Sequence, residues 1–102
     1  MHGRIVSVQV APENLKIVTD IYIESVVPAA EQQDGFKGAL LFTDDETGKA
    51  VSITVWDSVE DLMRGQESGY YREQIGKFTN YFVRAPDQEG FEMVYCSLAS
   101  DG

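Results

Sequence analysis

The sequence predicts an α+β fold, four strands and two helices in the order β-α-β-β-α-β, as one domain over residues 1–102. Two observations carry this expectation. Residues 3–10 and 49–56 alternate polar with β-branched or apolar side chains, the period of two that a strand requires. Each run is followed by residues whose apolar positions recur at helical spacing. The runs beginning Arg4-Ile5-Val6-Ser7-Val8 and Lys49-Ala50-Val51-Ser52-Ile53 lie 45 residues apart, a weak internal likeness consistent with two split β-α-β halves. Such halves joined by a hairpin give a ferredoxin-like arrangement, a four-stranded antiparallel sheet with its helices on one face.

Each element has its own signals. In the first strand Val6, Val8 and Val10 share one face, and Ser7 and Gln9 the other. Pro12-Glu13 opens the first helix, because proline fits the first turn and an acid suits the positive end of the helix dipole. Leu15, Val18, Tyr22 and Val26 form its apolar stripe, widened by Ile17 and Ile21, and Pro28 is expected to kink or end it. Asp34-Gly35 is a turn, residues 36–43 the second strand, residues 44–48 an acidic hairpin loop and residues 49–56 the third strand. Ser58 with Asp61 resembles a capping box, with Asp where Glu or Gln is usual, ahead of Val59, Leu62, Met63 and Gln66. Gly65 and Gly69 weaken this second helix, and Ser68 is placed to cap a short further helix from Tyr70 to Phe78. Residues 81–84 read as a short strand or a loop, residues 86–90 as a turn, and residues 91–98 as the last strand.

Composition excludes several functions. Eight Lys and Arg oppose 17 Asp and Glu, a net charge of −9, so the clustered cations that nucleic acid or an anionic membrane would need are lacking. At 43% apolar and 11% aromatic residues, the chain is too hydrophobic for a disordered acidic tail. No apolar run reaches the length of a membrane helix, and residues 1–4 lead into a strand rather than a signal peptide, so a cytoplasmic location is the default expectation. The single Cys96 cannot form an internal disulfide and, within the apolar run 93–98, reads as a buried structural thiol. No Gly-rich phosphate loop, metal-spaced His or Cys pair, or Ser-His-Asp set is present; His2 lies at the terminus, and the acids 44–46 form a solvated turn.

The expected edge strands carry apolar residues on both faces: Phe36, Ala39, Leu40, Leu41 and Phe42 in one, Phe91, Met93, Val94, Tyr95 and Leu98 in the other. Ile5, Leu41 and Trp56 are expected on the sheet's open face, among Ser7, Gln9, Ser52 and Thr54. Two helices cover only one face of a sheet. The sequence therefore predicts a homodimer that packs through sheet faces and edge strands.

Three segments resemble one family. The first strand with its Pro-Glu helix start, the turn Asp34-Gly35-Phe36-Lys37-Gly38 and the run Val55-Trp56-Asp57-Ser58-Val59-Glu60-Asp61-Leu62 are similar to dimeric α+β barrel proteins of the antibiotic biosynthesis monooxygenase type. The likeness extends from about Arg4 to Tyr95. It implies a homodimer of ferredoxin-like subunits, each with a pocket for a small hydrophobic ligand between helices and sheet. Characterised members include quinone-forming monooxygenases that use no metal or prosthetic group, and haem-degrading enzymes. Where the haem-degrading members carry a second Trp, a His and a first-strand Asn, this chain has Gly65, Ile75 and Val6, so haem degradation is not expected.

Oxygenation without a cofactor asks for a base or hydrogen-bond donors in a dry pocket, to deprotonate a phenol and stabilise its anion. By position, the resemblance implies Tyr71, Arg72 and Tyr22 as catalytic candidates, and Asn14, Tyr70, Trp56 and Met63 as substrate-binding candidates, with no cofactor. Two functions follow: a small monooxygenase acting on an aromatic metabolite, or a non-catalytic ligand-binding or structural dimer that keeps the barrel.

Overall fold

The computed structural model describes residues 1–98. Strand β1 (His2–Gln9) leads through a 3-10 turn at Pro12–Asn14 into helix α1 (Leu15–Ile21), a wider π-turn (Tyr22–Val26) and helix α2 (Val27–Glu31). Strands β2 (Phe36–Thr43) and β3 (Lys49–Trp56) form the hairpin, followed by α3 (Val59–Glu67), α4 (Tyr70–Gly76) and β4 (Asp87–Glu92). The strands lie in the order β2-β3-β1-β4 and every pair is antiparallel, the ferredoxin-like arrangement.

The pairing of the two central strands decides which side chains meet. Arg4 stands opposite Thr54, Val6 opposite Ser52 and Val8 opposite Ala50, so these residues share the face under the helices. The core forms there from Val10, Leu15, Val18, Tyr22, Ala50 and Phe78, all buried, with Val8, Ile21, Val26 and Leu41 packed around them. Trp56, 2% exposed, closes the other end, edge-on to Phe36 at 5.6 Å and to Tyr70 at 6.4 Å between ring centroids.

Local chemistry accounts for the helices. Pro12 occupies the first turn, where its missing N–H costs nothing. Pro28 does not end the helix, which continues to Glu31. The π-turn lies just before it, with the Val27 N–H donating to the Tyr22 carbonyl five residues back, and this wider turn accommodates the proline. Ser58 caps α3, its hydroxyl oxygen accepting from the Asp61 N–H at 3.1 Å. Asp61, one methylene shorter than Glu, accepts from the Ser58 hydroxyl at 2.9 Å and from Arg64 at 2.7 Å. Gly69, at φ 88°, makes the left-handed step into α4, while the Ser68 hydroxyl donates to the Gly65 carbonyl and accepts from the Tyr70 N–H. That short helix ends at Gly76, two residues before Phe78.

Several sequence expectations are corrected. Leu41, Ser52, Thr54 and Trp56 stand on the helix-covered face, not the open one, because the β1–β3 register puts the less apolar side of β3 inward. The open face instead carries Ile5, Leu40, Phe42, Val51, Ile53, Val55 and Phe91, none of them buried. The last strand spans Asp87–Glu92 rather than residues 91–98, so much of the expected turn at 86–90 is strand. Glu92 pairs with His2, where β1 begins, the Met93 N–H donates to the Met1 carbonyl at 2.9 Å, and the apolar residues beyond pair with no strand among the described residues. Val94, Tyr95 and Leu98 are 87%, 81% and 69% exposed, and Cys96, expected to be buried, is exposed with them. In residues 81–84 a single bridge joins Val10 to Phe82. Among the described residues, no helix is long and apolar enough to cross a membrane.

Gly48 ends the hairpin loop at φ 81°, and a Cβ there would lie 2.0 Å from the Val10 carbonyl oxygen. Gly48→Ala is expected to destabilise the fold by at least the ~1–3 kcal/mol of a strained backbone conformation. Urea unfolding checks it, and an unchanged midpoint would refute the assigned turn geometry.

Candidate functional site in the helix–sheet cavity

A partly open, mainly apolar cavity lies between the sheet and the helices. Arg4, Val6 and Val8 of β1 and Ala50, Ser52, Thr54 and Trp56 of β3 form its floor, with Leu41 of β2 beside them. Val18, Tyr22 and Val26 cover one side, and Tyr70, Tyr71, Gln74 and Ile75 of α4 the other. A water molecule's centre can range over about 80 Å³ of it. One water needs roughly 10–15 Å³ on that measure, so the space suits about five to eight waters or one single-ring ligand.

Few polar groups reach this space. The Tyr22 hydroxyl and Ser52 Oγ share a hydrogen bond of 2.7 Å. Trp56 Nε1 donates to Thr54 Oγ1 at 3.1 Å, and Gln74 Oε1 accepts from Lys77 Nζ at 2.8 Å. The Arg4 guanidinium carbon lies 4.2 Å from the centre of the Tyr71 ring, a cation–π stack, and Nη2 donates to the Leu62 carbonyl at 3.2 Å. Burial pushes the Tyr70 phenol up to about 12, against an opposing pull from Arg4. Burial also raises Tyr22, partly offset by the hydrogen bond with Ser52, and raises Tyr71, partly offset by Arg4. All three phenols are therefore neutral at neutral pH. They serve as hydrogen-bond donors, not as bases.

Of the seven residues singled out in the sequence, Tyr22, Trp56, Tyr70 and Tyr71 line this cavity. Arg72 lies on the exposed side of α4, away from its cavity-lining residues 70, 71, 74 and 75. Asn14 closes the 3-10 turn and lies outside the cavity lining. Met63, 43% exposed, borders a second hollow shared with His2, Arg4, Gln66, Gln88 and Glu89. Sequence reasoning passed over Arg4, Ser52, Thr54 and Gln74. Arg4 carried a usable signal, since it has the same parity as Val6 and Val8 and so falls on the buried face of a central strand.

The lining does not fit haem. It includes no His, Cys or Met, and burial disfavours the phenolate form in which its three Tyr could ligate iron. At Gly65, where the haem-degrading members carry a second Trp, even a Cβ would lie 3.2 Å from Tyr70 Cδ2. Among the described residues, no three His, Cys, Asp or Glu side chains are grouped to hold a metal ion.

Comparison with known proteins gives a consistent picture. Residues 1–76 match the family model described as antibiotic biosynthesis monooxygenase. No curated protein matches the chain in sequence. Among solved structures, a protein of unknown function from Nitrosomonas europaea is similar at a TM-score of 0.75 and 11% identity, over 97% of this chain and 94% of its own. A structure described as antibiotic biosynthesis monooxygenase is similar at 0.72 and 20% identity, over 93% and 100%. A mutant of SnoaB, a cofactor-independent oxygenase from Streptomyces nogalater, is similar at 0.71 and 14% identity, over 93% and 94%. At these identities the structural similarity shows the shared fold.

The raised Tyr70 phenol sets a pH dependence. The folded chain keeps this proton after the unfolded chain, ionising near 10, has lost it. Its contribution to stability is thus whole below pH 10 and is lost as pH rises toward about 12. Tyrosinate absorbance should show a step near pH 12 that Tyr70→Phe removes, and urea unfolding of that variant should vary less with pH above 10. An identical titration curve for the variant would contradict the assigned burial.

Proposed function

The chain belongs to the antibiotic biosynthesis monooxygenase family, and from that premise we propose that it is a cofactor-independent monooxygenase acting on a small aromatic metabolite. The observation that carries this reading is the cavity itself, apolar walls on which the phenols of Tyr22, Tyr70 and Tyr71 and the Ser52 hydroxyl are placed. Hydrogen-bond donors in a water-poor site stabilise a phenolate more than the neutral phenol, and so bring its ionisation within reach of neutral pH. The electron-rich anion then reacts with oxygen. One oxygen atom enters the ring carbon para to the phenol and the other leaves as water, taking the ring and phenolic hydrogens, so phenol and O2 give quinone and water with no outside reductant. Tyr22 and Tyr71 are the catalytic donors of this reading. Tyr70 and Trp56 form the ring-binding wall.

A second reading, a binding protein that retains the barrel, is favoured by one feature: the lining contains no carboxylate, imidazole or thiol to act as a base. Oxygen uptake separates the two. With dihydroxyaromatic substrates we expect consumption of oxygen and formation of quinone. Tyr22→Phe and Tyr71→Phe are expected to lower kcat by about 10²-fold, the lower end of what a positioned proton donor contributes. Arg72→Ala, on the outer side of α4, should change kcat less than about twofold, within the effect of a neutral surface substitution. No uptake across the panel would leave the binding protein as the function.

The same reading includes a homodimer. Seven apolar residues on the open sheet face and the exposed run beyond Glu92 support packing against a second copy. Light scattering is expected to give twice the 11.4 kDa of one chain, and Ile53→Lys, which puts a charge at the middle of that face, should shift the mass toward one chain. A wild-type mass of one chain at micromolar concentration would overturn the dimer.

A further inference from the structure

Among the described residues Arg4 is the one charged side chain lining the cavity, and no carboxylate forms an ion pair with it, Glu89 bordering only the second hollow on its far side. Arg4 is 4% exposed, and its guanidinium offers five N–H donors. One hydrogen bond uses them, from Nη2 to the Leu62 carbonyl, while Nε is buried without any partner. Neither ion pair among the described residues, Lys16–Asp20 or Arg64–Asp61, includes Arg4. The Tyr71 ring beneath it and the Leu62 carbonyl hold the group in place, but both are neutral. A buried cation held only by neutral groups remains costly, and a planar fork with free donors matches the two oxygens of a carboxylate.

Resting on the reading of this cavity as the substrate site, we propose that Arg4 is an anion-anchoring residue and that the ligand is a single-ring aromatic carboxylate. Its carboxylate takes the free donors of the Arg4 fork, and its ring extends over Val6 toward Ser52 and Tyr22. The cavity's size suits one ring, and its walls away from Arg4 are largely apolar. Long-range attraction does not bring the ligand in, because the chain as a whole carries a net charge of −9. Selection for the acid arises at short range, from the fork itself.

Benzoate and its neutral isostere benzamide test this by titration calorimetry, since neither is a phenol and neither is turned over. A hydrogen-bonded charge pair should make benzoate bind the wild-type protein about 10- to 100-fold more tightly than benzamide. Arg4→Met should abolish that preference, and Arg4→Lys, which keeps the charge but not the fork, should reduce it. Circular dichroism and the melting temperature establish that each variant is folded, and if Arg4→Met is not, the wild-type pair and Arg4→Lys decide. Equal affinity for acid and amide, no binding of either, or a preference that persists in folded Arg4→Met would overturn the anchor. Oxygen uptake with 4-hydroxybenzoate is read separately. Acid-selective binding without uptake supports the anchor and removes only the oxygenase reading, whereas uptake on neutral phenols with no acid preference removes only the anchor.

Discussion

Everything in this fold depends on the antiparallel register between β1 and β3. Setting Val6 opposite Ser52 fixes the parity of both central strands, and parity in a sheet decides sides absolutely: a slip of one residue exchanges every inward side chain for an outward one. With this register the helices cover Arg4, Ser52, Thr54 and Trp56, and leave Ile5, Val51, Ile53 and Val55 uncovered. A one-residue slip of β3 would bury its more apolar side, Val51, Ile53 and Val55, and carry the hydroxyls of Ser52 and Thr54 out of the cavity. The pairing chosen gives up some hydrophobic burial within one chain, and in exchange builds a cavity with polar groups in it and a sheet face suited to another surface.

Those polar groups act as a set because they share a poorly hydrated space. The three phenols are held neutral by burial, and Arg4 partly opposes that effect on Tyr70 and Tyr71. Arg4 in turn is stacked on the ring of Tyr71 and tied to the backbone of α3 at Leu62. Arg4 bears on both Tyr70 and Tyr71, and Tyr22 bears on Tyr70, so a variant at Arg4 or Tyr22 reports more than its own loss. Trp56 differs. Wedged between Phe36 and Tyr70, with its N–H on Thr54, it contributes shape more than charge.

Much of this was legible in the sequence where short-range rules govern. The limits of β2 and β3, the Ser58 cap, the Asp34-Gly35 turn and the inward face of β1 all follow from periodicity and turn chemistry, which act over a few residues. What was not legible depended on pairing between distant segments. The inner face of β3 is set by Val6 and Val8, more than forty residues away, and not by its own hydropathy. The run 93–98 has a strand's composition, but past one backbone bond from Met93 to Met1 it has no partner among the described residues. At the site, Tyr22 was visible on a helical stripe and Tyr70 and Tyr71 through the family resemblance, whereas Arg4 ran against the expectation that charge lies outside.

The π-turn at Tyr22–Val26 has a consequence of phase. Residues four apart in an α-helix drift by about 40° around the axis at each step, since four residues make slightly more than one turn. Val18, Tyr22, Val26 and Ala30 are spaced strictly by four, and over three such steps the drift would carry the last of them well off the stripe begun by Leu15. A wider turn in the middle unwinds that drift, so that Val26 still reaches the cavity wall and Ala30 is still buried. The extra residue in this turn is thus a timing element between two halves of one helix. Losing it would rotate everything from Val27 to Glu31 by about 100°, the angle of one residue, and would turn Ala30 out of its buried position without altering a single side chain.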